Sequence, residues 1–144
     1  MAFDWVESIE TIDWNELSNL YRIAPLGDKN PADLQTSFSN SRYVCFVFDA
    51  RRLIGAGRAL ADGVDCSYIC DVAVHPDYQG YGIGKGIVAR LVERSRGHRK
   101  IILYAAPGKE SFYLKLGFKR MKTAMAIFQN QDQALASGVI EAME

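Results

Sequence analysis

The sequence predicts a single α/β domain with a mixed central sheet and helices on both of its faces. Two observations carry this. Apolar residues recur at helical spacing as far as Phe38 and switch to strand-like runs from Tyr43. Residues 66–106 then read strand, glycine-rich turn, helix, strand, which is a βαβ unit. At 144 residues the chain suits one such domain, and 17 basic against 17 acidic residues leave no global field to draw in nucleic acid or an anionic surface. Any charged ligand has to be met locally.

Asp13 with Glu16 three residues on reads as an N-cap and capping-box acid, opening a helix through Trp14, Leu17, Leu20 and Tyr21 that stops before Pro25. Pro31 suits the first turn of a second helix through Leu34 and Phe38, with IAPLGDKN as the loop between them. YVCFVFD and RLIGAGRAL, joined by a turn at Asp49–Arg52, read as a hairpin over 43–60. After a turn at Ala61–Asp65, CSYICDVAVHP gives a third strand ended by Pro76. Ile83, Ile87, Val88, Leu91 and Val92 share one helical face up to Gly97. IILYAA at 101–106 reads as a strand buried on both faces, Ser111–Leu116 as a short helix, Met121–Phe128 as a last strand, and the tail beyond Gln129 as a loose helix.

No apolar run approaches the ~18 residues of a membrane span, and no basic-then-apolar leader opens the chain, so a soluble cytoplasmic protein is expected. Cys45, Cys66 and Cys70 are odd in number and read as reduced, packed thiols; Cys66 and Cys70 lack the further Cys or His partners of a zinc site, and no metal is expected.

The stretch VHPDYQGYGIGKG is where chemistry concentrates. A strand that enters a glycine turn and then a helix aims several unpaired backbone N–H groups at one place, where the helix dipole also favours negative charge. That makes an anion site, to which Lys85 adds a cation. A Walker loop is disfavoured because Gly84-Lys85 is followed by Gly86, not by a magnesium-holding hydroxyl. A dinucleotide fingerprint is disfavoured because Gly80, Gly82 and Gly84 do not give GxGxxG and no acid stands near residue 104.

What remains is QxxGxG at Gln79, Gly82 and Gly84, preceded by the strand DVAVHPDY. With SFYLKLGF at 111–118, a tyrosine-bearing helix running into a Gly-Phe turn, the region 43–128 resembles the GCN5-related N-acetyltransferase (GNAT) superfamily. The resemblance implies one N-acetyltransferase domain over 1–144, with acetyl-coenzyme A as cosubstrate wedged between two parallel strands that splay apart. It places that wedge between Tyr68–His75 and Ile101–Ala106, with Val72, Ala73 and Val74 beside the pantetheine. Backbone groups of Val72 and Val74 would pair with its amides as a strand would. The N–H groups of Gln79, Gly80, Tyr81, Gly82, Ile83, Gly84 and Lys85 would cradle the pyrophosphate.

The resemblance also implies direct attack by a primary amine in a ternary complex. Tyr113 stands where the family keeps its general acid, a phenol able to protonate the departing thiolate. The Val72 N–H would polarise the thioester carbonyl. No base is evident: strict alternation puts Tyr68, Cys70 and Val72 on one face, Tyr68 could order a water, and Asp71, the nearest acid, faces away unless the strand bulges. His75 reads as a loop-structuring residue. Many members carry an Asn near Ala106 or Pro107, and its absence leaves that contact to backbone groups or Lys109.

The acceptor pocket implied by the fold involves Leu26–Asn30, Phe38 and Tyr43, with Asp28 and Asp33 able to attract a cationic amine. The stretch from Ala59 to Gly84 also resembles bacterial and plastid relatives of arylalkylamine acetyltransferases, which implies a small arylalkylamine or polyamine ahead of a protein lysine or N-terminus. Two rivals stand: a non-catalytic acyl-CoA-binding sensor and a nucleotide-phosphate binder. The basic run Arg90–Lys100 lies at a helix end in a neutral chain, so it suits the 3′-phosphate of coenzyme A better than nucleic acid. Family habit points to a homodimer, for which the sequence offers no interface.

Overall fold

The computed structural model describes residues 2–142. By its residue contacts the chain forms two compact units, 1–103 and 104–144. The first carries a five-stranded sheet in the order β1-β2-β3-β4-β5: β1 is Asp4–Val6, β2 Tyr43–Asp49, β3 Arg52–Ala61, β4 Cys66–Val74 and β5 Lys100–Ile102. All neighbours are antiparallel except β4 and β5, so the sheet is mixed, as the sequence predicts.

One face of the sheet is covered by α1 (Trp14–Ile23) and α2 (Pro31–Ser39). Leu17, Leu20 and Tyr21 of α1 and Leu34 and Phe38 of α2 form a buried core with Val44, Phe46, Ala56 and Ala73 of the strands. Each of the buried Leu, Val and Phe side chains contributes about 1.5–3 kcal/mol of burial. The Asp13 carboxylate caps α1 by accepting from the Asn15 and Glu16 N–H groups. Glu16 does not close the capping box; its carboxylate accepts instead from Leu53 N–H (3.0 Å), which ties α1 to β3. Asn30 caps α2 and Pro31 occupies its first turn.

The opposite face is covered by α3 (Ile83–Arg94), which buries the expected stripe of Ile83, Ile87, Val88 and Leu91. A Cβ on Gly57 of β3 would stand 2.7 Å from Ile87 Cγ2, so this helix lies against bare backbone. Gly86, within α3, is covered by the Trp5 ring of β1 closely enough to leave no room for a Cβ.

The second unit contains α4 (Glu110–Lys115) and α5 (Gln131–Ser137), the latter closed by Gly138. Three expectations are corrected. The strand over 101–106 shrinks to Lys100–Ile102, since β4 offers it only Cys66–Tyr68 as partners. Met121–Phe128 forms no strand among the described residues, because strand propensity describes fit to a neighbour and no ladder is made here. β1, absent from the sequence reading, is three residues long, too short to show a period.

Candidate functional site

β4 pairs with β3 along nearly its whole length but with β5 only at Cys66–Tyr68. Beyond Tyr68 its second edge, as far as Val74, has no ladder partner among the described residues. Main-chain groups on such an edge are hydrogen-bonding capacity that a ligand can take up.

The strand is not regular along that edge. Ala56 pairs with Ala73 and Arg58 with Cys70, so Gly57 faces two residues, Asp71 and Val72, and β4 contains a bulge. Asp71 sits at φ 57°, in the left-handed region, which is uncommon for a residue with a side chain. The bulge corrects the alternation expected from sequence. Tyr68 and Cys70 remain on the α1/α2 face, where Cys70's partner Arg58 lies over Phe38. Val72 turns to the α3 face: a Cβ on Gly57 would touch its Cγ2 at 3.4 Å beside Ile87 and Leu91.

Asp71 is thereby brought to the α1/α2 side. Its carboxylate accepts from Arg58 Nε at 2.8 Å and stands 3.7 Å from Lys29 Nζ, and its carbonyl oxygen accepts from the Tyr21 hydroxyl at 2.6 Å. Arg58 also donates to Ser41 Oγ at 3.2 Å. Burial, helped by the Asp71 charge, pushes the Tyr21 phenol well above its usual range, so it stays a donor. Burial likewise pushes the Cys70 thiol up to about 11. Sequence reasoning named Asp71, and Lys29 only within the acceptor segment Leu26–Asn30, but missed Tyr21 and Arg58 and the pairing of all three with Asp71. The available signal was Arg58 itself, a cation inside the small, apolar run LIGAGRAL that could be buried only with a partner.

β4 leads through Pro76–Tyr78, a short 3-10 turn, into the glycine stretch. His75 is nearly buried: its Nδ1 accepts from Asp77 N–H, Arg52 lies 3.0 Å from its Nε2, and its ring meets Tyr78 edge-on. These are the contacts of a loop-structuring residue. The Gln79 amide donates to the Val74 carbonyl at 3.3 Å. Gly82 is the N-cap of α3 at φ 76°, and the first helical bond runs from Gly86 N–H to Gly82 O. The N–H groups of Ile83, Gly84 and Lys85 come before that bond and have no intrahelical acceptor. Around the Cβ positions of Gly80 and Gly82 nothing lies within 4 Å. Tyr81 and Lys85 are exposed, and Lys85 has no ion-pair partner among the described residues. The first unit thus brings together Tyr68, Asp71–Val74 and Gln79–Lys85 along one strand, turn and helix start. Gly86 is not part of this surface, since its missing Cβ makes room for Trp5.

The basic run from the last turns of α3 to the start of β5 is largely engaged within the protein. Arg90 lies 4.3 Å over the Trp5 ring, Arg94 faces Glu7, Arg96 pairs with Glu93, and Lys100 with Asp65. Phe38, expected to line an acceptor pocket, is a core residue, 1% exposed and stacked on Phe46 at 5.4 Å. Tyr43, expected beside it, packs against Arg94 and His98 instead.

In the second unit, Tyr113 lies on α4, half-buried, with its ring edge-on to Phe112 (5.0 Å) and Phe118 (5.9 Å). Burial raises its phenol above the usual value, which keeps it protonated at neutral pH. Gly117, at φ 97°, ends this helix, and Phe118 N–H closes on the Tyr113 carbonyl at 3.1 Å. Ala106 and Pro107 stand in a turn closed by Lys109 N–H on Ala106 O (2.9 Å). Among the described residues no group of His, Cys, Asp and Glu is gathered as metal ligands.

A family model described as Acetyltransferase (GNAT) family matches residues 6–118. An uncharacterized N-acetyltransferase of Pyropia yezoensis, ycf52, is 34% identical over 116 residues, covering 72% of this chain and 67% of that protein. Serotonin N-acetyltransferase 2, chloroplastic, of Oryza sativa subsp. japonica is 38% identical over 89 residues, covering 58% of this chain and 44% of that protein. A solved GNAT-family acetyltransferase of Streptococcus pneumoniae shares the fold with a TM-score of 0.77 at 21% identity, over 90% of this chain and 99% of that one. The chain spans between 29% and 67% of the length of the curated relatives compared.

Proposed function

The chain belongs to the GNAT acetyltransferase family, and from that premise we propose an N-acetyltransferase that passes an acetyl group from acetyl-coenzyme A directly to a primary amine in a ternary complex. The single observation that carries this reading is the free edge of β4 leading into an exposed glycine turn and helix start. An extended amide chain fits the edge, and a pyrophosphate fits the N–H cluster around Gly82, where no Cβ intervenes. Residues 72–74 would hold the pantetheine and Gln79–Lys85 the pyrophosphate. Acetyl-coenzyme A supplies the thioester, whose cleavage drives amide formation.

The chain's own groups then have three tasks. The Val72 N–H donates to the carbonyl oxygen, where charge builds as the amine nitrogen attacks. As the carbon–sulfur bond breaks, the Tyr113 phenol gives its proton to the thiolate and regains one from solvent. The ammonium proton leaves through water ordered by Tyr68, since Asp71 is committed to Arg58 and Lys29.

A small arylalkylamine or polyamine is the proposed acceptor, with Leu26–Asn30 beside it; the similarity to the rice serotonin N-acetyltransferase supports the arylalkyl class. We place the protein in the cytoplasm on its three free cysteines; no helix among the described residues is long and apolar enough to cross a membrane. The test is thiol release from acetyl-coenzyme A over a panel of arylalkylamines, polyamines, lysine peptides and N-terminal peptides. Turnover with the first two classes supports the reading, and turnover with peptides alone replaces the acceptor. The commitment of Asp71 favours one rival, an acyl-coenzyme A sensor. Tight coenzyme A binding with no thiol release for any amine, and no change on Tyr113→Phe, would establish that rival.

A further inference from the structure

The bulge at Asp71 changes which backbone groups of β4 reach its free edge. Before the bulge, Lys100 N–H of β5 donates to Asp65 O at 2.8 Å, so odd-numbered residues turn their backbone groups toward β5 and even-numbered ones toward β3. Continued unchanged, that alternation would aim the groups of Val74 at β3. After the bulge the sense is reversed. His75 N–H donates to Ile54 O of β3 at 2.8 Å, and the Val74 carbonyl is met by the Gln79 side chain. One inserted residue therefore presents Val74 to the free edge and turns the Val72 side chain under α3.

The inserted residue is held at three points. The buried Tyr21 hydroxyl grips its carbonyl, Arg58 grips its carboxylate, and Lys29 stands beside the second carboxylate oxygen. All three come from outside β4: from α1, from β3 and from the loop between α1 and α2. A left-handed residue with a Cβ costs about 1–2 kcal/mol and persists only where its surroundings fix it.

We propose that Asp71 is a positioning residue and not the base: clamped by Tyr21 and Arg58, its left-handed backbone sets the register in which β4 receives the acetyl donor. This rests on the reading of β4's edge as the donor site. Asn tolerates the left-handed region and still accepts from Arg58, Gly adopts it freely without the carboxylate, and a β-branched Val resists it.

The test is the series Asp71→Asn, Asp71→Gly and Asp71→Val, with Tyr21→Phe, in the full chain, measured well below each variant's unfolding temperature. Expected are kcat and acetyl-coenzyme A affinity within about threefold of the parent for Asp71→Asn, with an unchanged pH profile. Asp71→Val should lose at least about tenfold in affinity and more in kcat/KM, and Tyr21→Phe a smaller part of both. The Cα and Cβ chemical shifts of residue 71 should stay left-handed in Asn and leave that region in Val. A ~10²- to 10⁴-fold fall in kcat for Asp71→Asn, with loss of an acidic limb, would make Asp71 a base and overturn the proposal. So would a folded Asp71→Val with the parent's affinity and rate. Should Asp71→Val fail to fold, Asp71→Gly decides: affinity within about tenfold supports the backbone role, and complete loss refutes it. If the parent itself releases no thiol with any amine, the transferase reading fails, and coenzyme A affinity across the same series still tests the clamp.

Discussion

Replacing Gly82 and Gly86 separately by alanine discriminates a ligand-binding turn from a packing turn. At Gly82 the cost comes from the backbone, since φ is 76° and nothing lies within 4 Å of the added Cβ. An alanine forced into the left-handed region loses about 1–2 kcal/mol. At about 2–4 °C per kcal/mol for a chain of this size, the melting temperature should fall by about 2–8 °C. The same methyl would project where an anion must approach the N–H groups of the α3 start, so coenzyme A affinity should fall by at least about tenfold. At Gly86 the added Cβ meets the Trp5 ring. Overpacking of this kind costs about 1–3 kcal/mol, a loss of comparable size, but the strain lies between α3 and β1, away from the turn. Scanning calorimetry and titration calorimetry with coenzyme A, run on both variants, give the two numbers needed. Similar melting losses and dissimilar affinities are expected. If Gly82→Ala melts lower yet binds coenzyme A as the parent does, the turn serves packing alone and the anion site is refuted.

Tyr113→Phe should lower kcat by about 10²-fold or more with a smaller change in the KM for acetyl-coenzyme A, as expected for a proton donor. Because burial raises the phenol above its ordinary value near 10, the parent's kcat should decline only as pH rises beyond that value; a Tyr113-dependent alkaline limb below pH 9, in stopped-time thiol assays, would refute the assignment. Asp62 is held at about 2, chiefly by the N–H groups of Val64 and Asp65, in the turn between β3 and β4. Its folded value lies below its ordinary 3.8, so its contribution is present above about pH 4 and fades as pH falls toward 2. Melting curves of Asp62→Ala and the parent should therefore converge over that window and differ by a constant amount at neutral pH. Burial pushes Cys45 up to about 12 and Cys70 up to about 11. At pH 8 a disulfide reagent should label neither in the folded protein while labelling both after denaturation, with mass spectrometry of the peptides as the check.

The parts of the fold legible in the sequence are those set by local rules. The αL-competent glycine before α3, the stripe Ile83-Ile87-Val88-Leu91, Asn30 with Pro31, and the β-branched and aromatic run of β2 each state their structure within a few residues. What failed was set by partners distant in sequence. β1 exists because Phe46 and Phe48 offer it a ladder, and a three-residue period cannot announce that. Met121–Phe128 has the composition of a strand, but Met125 and Ile127 are 95% and 96% exposed and no ladder fixes them. Composition there described a capacity that the chain does not use.

The site divides along the same line, and Asp71 marks the boundary. The glycine turn before α3 was legible because QxxGxG is contiguous. The face and edge presented by β4 were not, because strict alternation is a local rule and the bulge breaks it with help from α1, β3 and the loop at Lys29. Nothing in ICDVAV distinguishes an aspartate that faces outward from one that adds a residue to the ladder. The physical sign was one strand away. Arg58, 15% exposed among small and apolar neighbours, requires an anion within reach, and its register partner Cys70 puts Asp71 next in line. The Asp71 carboxylate is already engaged by Arg58 Nε at 2.8 Å and stands 3.7 Å from Lys29 Nζ, so its oxygens are taken up within the protein. The nearest acid on the strand is therefore better suited to holding backbone, and the route proposed for the amine's proton is through water on the Tyr68 side of the strand.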